Sequence, residues 1–217
     1  MDIDVTQSCV EVEQRFPRRG ILAAGVGGAA LSLLPFLSGR ANASASTTTQ
    51  GTTTTSAPPR RPTDDDTSLL NFAQQVELTA LALYDEAIAG VKSWSPEQAT
   101  VMTTLRQSHN AYANAISGLL GRNAANTPDQ DLFNGLRSKF TGKPKDVLLA
   151  AALLESAAVA THLDVLAKLQ GVNGAALVAS IEVAEARHAT VLRDLAGVTD
   201  ESSLLVDVEA DSLLGNG

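Results

Sequence analysis

The sequence predicts an all-α fold, a four-helix bundle with one long crossover between helices 2 and 3. Three observations lead there. Alanine and leucine dominate while aromatic residues make up only 4% of the chain, a composition that favours helices over sheets. Apolar residues recur at helical spacing in four separate stretches. The connections between those stretches run short, long (about twenty residues), short, whereas simple up-down bundles have no long connection.

The first helix opens at Asp64-Asp65-Asp66-Thr67, where carboxylates suit the helix dipole, and continues through Leu70, Ala73, Val76, Ala80, Leu83, Tyr84 and Ala87 to Gly90. Ser95-Pro96-Glu97-Gln98 opens the second: Ser95 is a cap, Pro96 fits the first turn, and Gln98 completes a capping box. Its apolar pattern runs through Leu105, Ile116 and Leu119 to a stop at Gly121. Trp94, just before the cap, reads as a staple or loop plug. From Arg122 to Gly142 the periodicity weakens, and Asn126-Thr127-Pro128-Asp129 is turn chemistry. Leu132, Phe133, Leu136 and Phe140 suggest a short packed helix inside this crossover. The third helix spans about Pro144 to Gln170. The fourth is expected to start with Asn173 as its cap and to end at Ala196, before Gly197.

The bundle thus occupies residues 67–197, and the segments around it are of another kind. Residues 1–43 read as a twin-arginine signal peptide: Arg18-Arg19, a modestly apolar run from Ile21 to Leu37, and the small-residue pattern Ala41-Asn42-Ala43. The glycines and Pro35 in that run weaken it as a membrane anchor, so no stable span is expected after signal removal. The partner during export would be the Tat translocase, which is generally understood to move proteins already folded. The expected location is the cell envelope, the periplasm or the exterior. Residues 44–66 form a Thr/Pro-rich linker without apolar residues to bury, expected to be disordered. Residues 198–217 are an acidic tail whose Leu204-Leu205-Val206 and Leu213-Leu214 offer docking points.

A formal net charge of −8 argues against nucleic-acid binding, which needs a basic face. The single cysteine, Cys9, lies within the predicted signal, so a mature chain has no thiol for a disulfide, a Cys-based metal site or a nucleophile. Any metal must then be held by carboxylates and imidazoles, which suit iron, manganese or zinc. The three histidines, His109, His162 and His188, fall inside core-type helices, and Glu77, Glu155 and Glu185 likewise interrupt apolar stretches. Glu185 and His188, at i and i+3, share a helix face, the arrangement by which di-iron and di-manganese bundles place a carboxylate and an imidazole on one ion. Glu77 and Glu155 are the single-glutamate contributors from the first and third helices. Glu182, one turn before Glu185, is an additional candidate, as is His162, two turns after Glu155 on the same face.

Leu70-Asn-Phe-Ala-Gln-Gln-Val-Glu77-Leu-Thr-Ala-Leu-Ala-Leu-Tyr84 resembles the first helix of the exported ferritin-like domain family, which includes twin-arginine-signal members and desiccation- or stress-related proteins. Leu154-Glu155 and Ile181-Glu-Val-Ala-Glu185-Ala-Arg-His188 resemble its third and fourth helices, and His109 in Leu105-Arg-Gln-Ser-His109 sits where the second-helix histidine belongs. The resemblance covers roughly residues 68 to 196 and implies a ferritin-like bundle with a di-metal centre. Three departures stand out. The position three before His109, a Glu in the intact motif, is Arg106; the family's further first-helix Glu is Ala80; and a third-helix Tyr is His162.

Three arrangements follow. A metal site persists with altered ligands, namely Glu77, His109, Glu155, Glu185 and His188, with His162 and Glu182 as additions. Alternatively, Arg106 replaces the metal, its guanidinium pairing with the core glutamates. In the third, these side chains sit on partly exposed faces. Burying several carboxylates with no cation among them is costly, which demotes the last. The first arrangement implies iron or manganese, as a pair or a single ion, and an oxidase or peroxide-related activity. The second implies no cofactor and a non-catalytic envelope protein acting in stress tolerance or interaction. A storage cage is not implied, and a monomer or dimer is expected.

Overall fold

A computed structural model describes residues 57–205, 207 and 209–214. The predicted signal and residues 44–56 of the predicted linker lie outside them. The described residues are helical and contain no strand: α1 (Asp64–Gly90), α2 (Pro96–Leu120), α3 (Gln130–Leu136), α4 (Pro144–Lys168), α5 (Val172–Leu195) and α6 (Glu201–Leu204). Two single turns of 3₁₀-helix, Gly121–Asn123 and Arg137–Phe140, flank α3.

The four long helices form two hairpins, α1 with α2 and α4 with α5; α1 also packs along α4, and α2 along α5. The segment between α2 and α4 runs along α1 from one end to the other. Asn71 Nδ2 donates to Asn123 O at 2.9 Å, and Asn71 Oδ1 accepts from Ala125 N at 2.7 Å. Further along, Gln74 exchanges bonds with Asn126, Thr79 with Asp129, and Glu86 pairs with Arg137. Phe140 then buries its ring against the Tyr84 end of α1. The side-chain amides and hydroxyls of α1 thus satisfy backbone groups of a connection that has no ladder of its own.

Helix ends follow local chemistry in most places. Thr63, one residue before the predicted acidic start, caps α1 in a capping box with Asp66, so the boundary expected at residue 67 lies inside the helix. Ser95 and Gln98 form the expected capping box of α2. Gly121 ends α2 at φ +57°, a backbone region that favours glycine. Trp94 packs on the core and donates Nε1–H to Ala87 O near the C-terminus of α1.

The start of α5 differs from expectation. Asn173 is not its cap; Gly171 holds that position without a side-chain bond. The first N–H groups are satisfied instead by distant backbone: Val172 N donates to Pro59 O and Asn173 N to Arg60 O. The residues just before α1 are therefore pinned against α5, and the linker expected to be disordered through residue 66 is ordered over its last part. A Cβ on Gly171 would stand 2.7 Å from Arg61 O, so only glycine lets these backbones approach. Buried Asp66 completes the junction, accepting from Thr63 N, Gln170 N and Gly171 N at 2.7, 2.7 and 2.9 Å. The acidic tail, expected to be loose, is docked in part: Asp207 N donates to Ser156 Oγ and Leu213 N to Thr161 Oγ1, both on α4.

The core falls into two apolar clusters, one around Leu83, Met102, Phe140, Leu148 and Leu192, the other around Leu70, Ile116, Val165, Val178 and Ile181. On each long helix a polar residue separates them: Glu77 on α1, His109 on α2, Glu155 and His162 on α4, Glu185 and His188 on α5.

Burial raises the pKa of Asp66, but the three backbone N–H groups and the Thr63 hydroxyl outweigh it and leave the value below the ordinary one. A lowered folded pKa gives stability that is present above the unfolded value of about 3.9 and is lost as pH falls through the folded value. Asp66→Ala is expected to cost about 3 kcal/mol in urea denaturation at neutral pH, because buried N–H donors lose a charged acceptor. The same variant should lose part of the acid sensitivity of the parent chain.

Candidate metal centre

The side chains between the two apolar clusters converge. Glu77, Glu155, His162 and Glu185 are 0% exposed, His109 1% and His188 5%, so all three histidines of the chain lie in one dry interior layer with three glutamates. The helical register explains the convergence. Each polar residue occupies a core-facing position in an otherwise apolar stripe, and Glu155 with His162, and Glu185 with His188, are separated by whole-turn spacings.

His109 is the link between the hairpins. Its Nδ1 lies 2.8 Å from Glu77 Oε2 and its Nε2 3.0 Å from Glu155 Oε1. Both partners are carboxylate oxygens, so both nitrogens donate and the ring is an imidazolium in this arrangement. Burial alone would lower the pKa of His109, yet the charges and hydrogen bonds of Glu155 and Glu77 together hold it well above the ordinary value. Glu155 is held below the usual carboxylate range: burial opposes its charge, but His109 and His188 more than compensate. Tyr84 donates its hydroxyl to Glu155 Oε1 at 2.5 Å. His188 Nδ1 lies 3.2 Å from Glu155 Oε2.

At the other side of the layer, His162 Nδ1 lies 2.8 Å from Glu185 Oε2, and its Nε2 faces Glu77 Oε1 at 3.3 Å without forming a hydrogen bond. Burial lowers the pKa of His162 and keeps the ring neutral. Glu185 is pushed well above the ordinary carboxylate value by burial and by the charges of Glu77 and Glu155. The three buried glutamates thus depend on imidazoles, on the Tyr84 hydroxyl and on the raised pKa of Glu185 to offset their charge.

Buried polar atoms almost always find partners. Here Glu77 Oε1, Glu185 Oε1, His162 Nε2 and His188 Nε2 have none, nor has the Tyr112 hydroxyl. Four of these five orphaned atoms belong to carboxylates and imidazoles of one layer, and all four are of the type that ligates a divalent ion. Two triads bring ligand atoms within 4.8 Å of one another, His109 with Glu155 and His188, and Glu77 with His109 and Glu185. The donor set and its unsatisfied atoms therefore fit a carboxylate–histidine metal centre.

Two expectations change. Arg106 does not enter the layer. It turns outward to Asp85 on α1, with Nε 2.9 Å from Oδ1 and Nη2 3.1 Å from Oδ2, and about a third of its side chain is exposed. A two-point partner at the rim, reached without desolvating the guanidinium, wins over a buried position. The guanidinium is thus not the cation that the glutamates require. Glu182 is only half-buried; burial raises its pKa and nearby His162 lowers it, placing it at the edge of the layer. Tyr112 was not singled out in the sequence, although it lies one turn after His109 on the same face. Its ring stacks on His188 with centroids 6.3 Å apart and planes at 16°, and meets His109 edge-on.

A family model described as "Ferritin-like domain" matches residues 65–198, which takes in α2 to α5 and nearly all of α1. Comparison with curated proteins and with solved structures gave no match.

Since Arg106 touches none of the core carboxylates, Arg106→Ala is expected to cost at most about 1 kcal/mol of stability, the scale of an exposed ion pair. It should also leave metal uptake unchanged. Denaturation curves and elemental analysis of the variant beside the parent check both.

Proposed function

The chain belongs to the ferritin-like domain family, and on that premise we propose that it is an exported metal-binding bundle with an altered di-metal carboxylate–histidine centre. The long helices with the crossover of residues 121–143 are read as the family's four-helix arrangement. The observation that supports the reading best is the set of orphaned ligand atoms, Glu77 Oε1, Glu185 Oε1, His162 Nε2 and His188 Nε2, gathered in one buried layer. Glu77, His109, Glu155, Glu185 and His188 would hold the ions.

Iron or manganese is the natural occupant, because hard carboxylates with a few imidazoles suit both. A ferrous pair held there would supply two electrons to dioxygen or peroxide, the chemistry of a ferroxidase or peroxide scavenger. The protein's own contribution is positional. Glu155 is fixed by Tyr84 and His188, which sets its oxygens before any ion arrives. The apolar clusters on both sides exclude water from the layer. On metal binding His109 would surrender one of its two protons, since a ligating nitrogen must present a lone pair.

Export rests on Arg18-Arg19 and the segment after them, and it gives a folded, metal-loaded bundle a route to the cell envelope or beyond. A role in envelope stress tolerance is the biological setting we infer, with the protein as a monomer or dimer.

Full-length protein folded in metal-replete medium is expected to carry up to two iron or manganese ions per chain by elemental analysis. The double variant Glu155→Ala, His109→Ala should carry fewer than half as many. A parent chain that takes up no iron, manganese or zinc would overturn the reading and leave the metal-free stress or interaction bundle in its place. Separately, replacing Arg18 and Arg19 together by lysine should hold the protein inside the cytoplasm in a fractionation assay.

A further inference from the structure

The two hairpins do not contribute equally to the layer. Glu77 and His109 come from α1 and α2, while α4 and α5 supply Glu155, His162, Glu185 and His188. Among the described residues, α2 offers the layer His109 and no carboxylate, because Arg106 faces Asp85 outside. An ion resting on Glu77, His109 and Glu185 therefore draws an imidazole but no carboxylate from α2.

His162 is placed to fill that position. Its environment repeats that of His188. In both, Nδ1 points at a buried glutamate, at 2.8 Å to Glu185 for His162 and 3.2 Å to Glu155 for His188. In both, Nε2 is buried with no hydrogen-bond partner. A carboxylate that accepts the Nδ1–H fixes the tautomer and aims the Nε2 lone pair, which is the usual outer support of a metal-bound imidazole. For His162 the lone pair faces Glu77 Oε1 across 3.3 Å. Neither of these two facing atoms has a hydrogen-bond partner. Glu185 Oε1 is orphaned as well, on the same carboxyl group that holds the ring. A purely structural histidine would have both nitrogens engaged, since an unsatisfied buried nitrogen costs roughly 1–3 kcal/mol.

We propose that His162 is a metal ligand through Nε2, joining Glu77 and Glu185 on one ion, and that this third imidazole takes the place of a carboxylate from α2. The inference rests on the metal-centre reading above. It adds a residue from the third long helix of the bundle that the two compact triads omit. The exchange of an anionic donor for a neutral one leaves the loaded centre more positive than an all-carboxylate bridge would.

The test uses the full-length protein and manganous ion. Elemental analysis gives the number of ions bound, titration gives affinity, and pulsed electron paramagnetic resonance on protein with ¹⁵N-labelled histidine counts the coupled imidazoles. The parent should show three coupled imidazoles, His109, His162 and His188. His162→Gly should lose one of two ions, or bind it at least ~100-fold more weakly, at or beyond the ~10–100-fold loss typical of an outer-shell partner. Added imidazole should restore much of that binding, which a packing defect would not permit. If the parent shows only two coupled imidazoles, or if His162→Gly keeps parental affinity, His162 is not a ligand while the metal-centre reading stands. If the parent binds no manganese or iron at all, both fall. Should His162→Gly fail to fold, the imidazole count on the parent decides alone.

Discussion

The constraint on which the rest of the structure depends is the cost of placing three glutamates in a layer with no water. An isolated buried carboxylate is several kcal/mol worse off than a solvated one even after relaxation, so each needs a proton, a hydrogen-bond donor or a cation. The metal-free arrangement uses all available remedies and exhausts them. His109 is charged and shared by Glu77 and Glu155, Tyr84 donates to Glu155, and Glu185 moves toward its neutral form. His162 Nε2 and His188 Nε2 are still left without partners, while a neutral Glu185 can share its proton with Glu77. A fold selected only for stability would have filled this layer with leucine, as the two clusters beside it do.

The surroundings of the layer hold it in register. Four helices contribute to it, so its geometry is only as good as the alignment of the two hairpins. Two devices bear on that alignment outside the layer itself, and a third ties the tail to α4 and α5. The segment between α2 and α4 is bonded along α1 from Asn71 to Glu86. Asp66 ties the first turn of α1 to the loop between α4 and α5. The tail bridges the far side: Arg193, buried on α5, bonds Ser156 on α4 and the Leu205 carbonyl. They combine backbone–side-chain bonds and a charge-assisted bond from buried Arg193, which carry most of the net energy and direction, with the exposed Glu86–Arg137 ion pair, which adds little.

Much of this was legible in the sequence, and the gaps have physical causes. The helices announced themselves through apolar periodicity and through caps such as Ser95 with Gln98, because those bonds are made within four residues. The site residues were legible for a related reason: a glutamate or histidine that interrupts a core stripe has to be explained by something else in the interior. The start of α5 was not legible, because its N–H groups are satisfied by Pro59 and Arg60, more than a hundred residues away in the chain. Arg106 was misplaced because it sits on the flank of its helix, where a long side chain can turn in or out. Its choice is set by Asp85, and the pairing of 85 with 106 depends on how α1 and α2 mesh, which no single-helix pattern records. Tyr112 escaped notice because an aromatic residue at core spacing has no distinguishing mark until its neighbours are known to be His109 and His188.

An ion in this layer would couple metal binding to folding. An ion held by residues of α1, α2, α4 and α5 contacts both hairpins at once, so its binding energy is added to the interface between them and not to either hairpin alone. Without metal, that interface is bridged through the layer chiefly by His109, whose two bonds reach Glu77 on its own hairpin and Glu155 on the other. His162 makes the corresponding reach in the opposite direction, from α4 toward Glu77, and falls short of a bond. Through the layer the two hairpins are thus joined by two completed contacts, from His109 and from Tyr84 to Glu155, and by one uncompleted one. The uncompleted contact is the weaker half of the layer when metal is absent, and the half with most to gain when a cation is placed between its facing lone pairs.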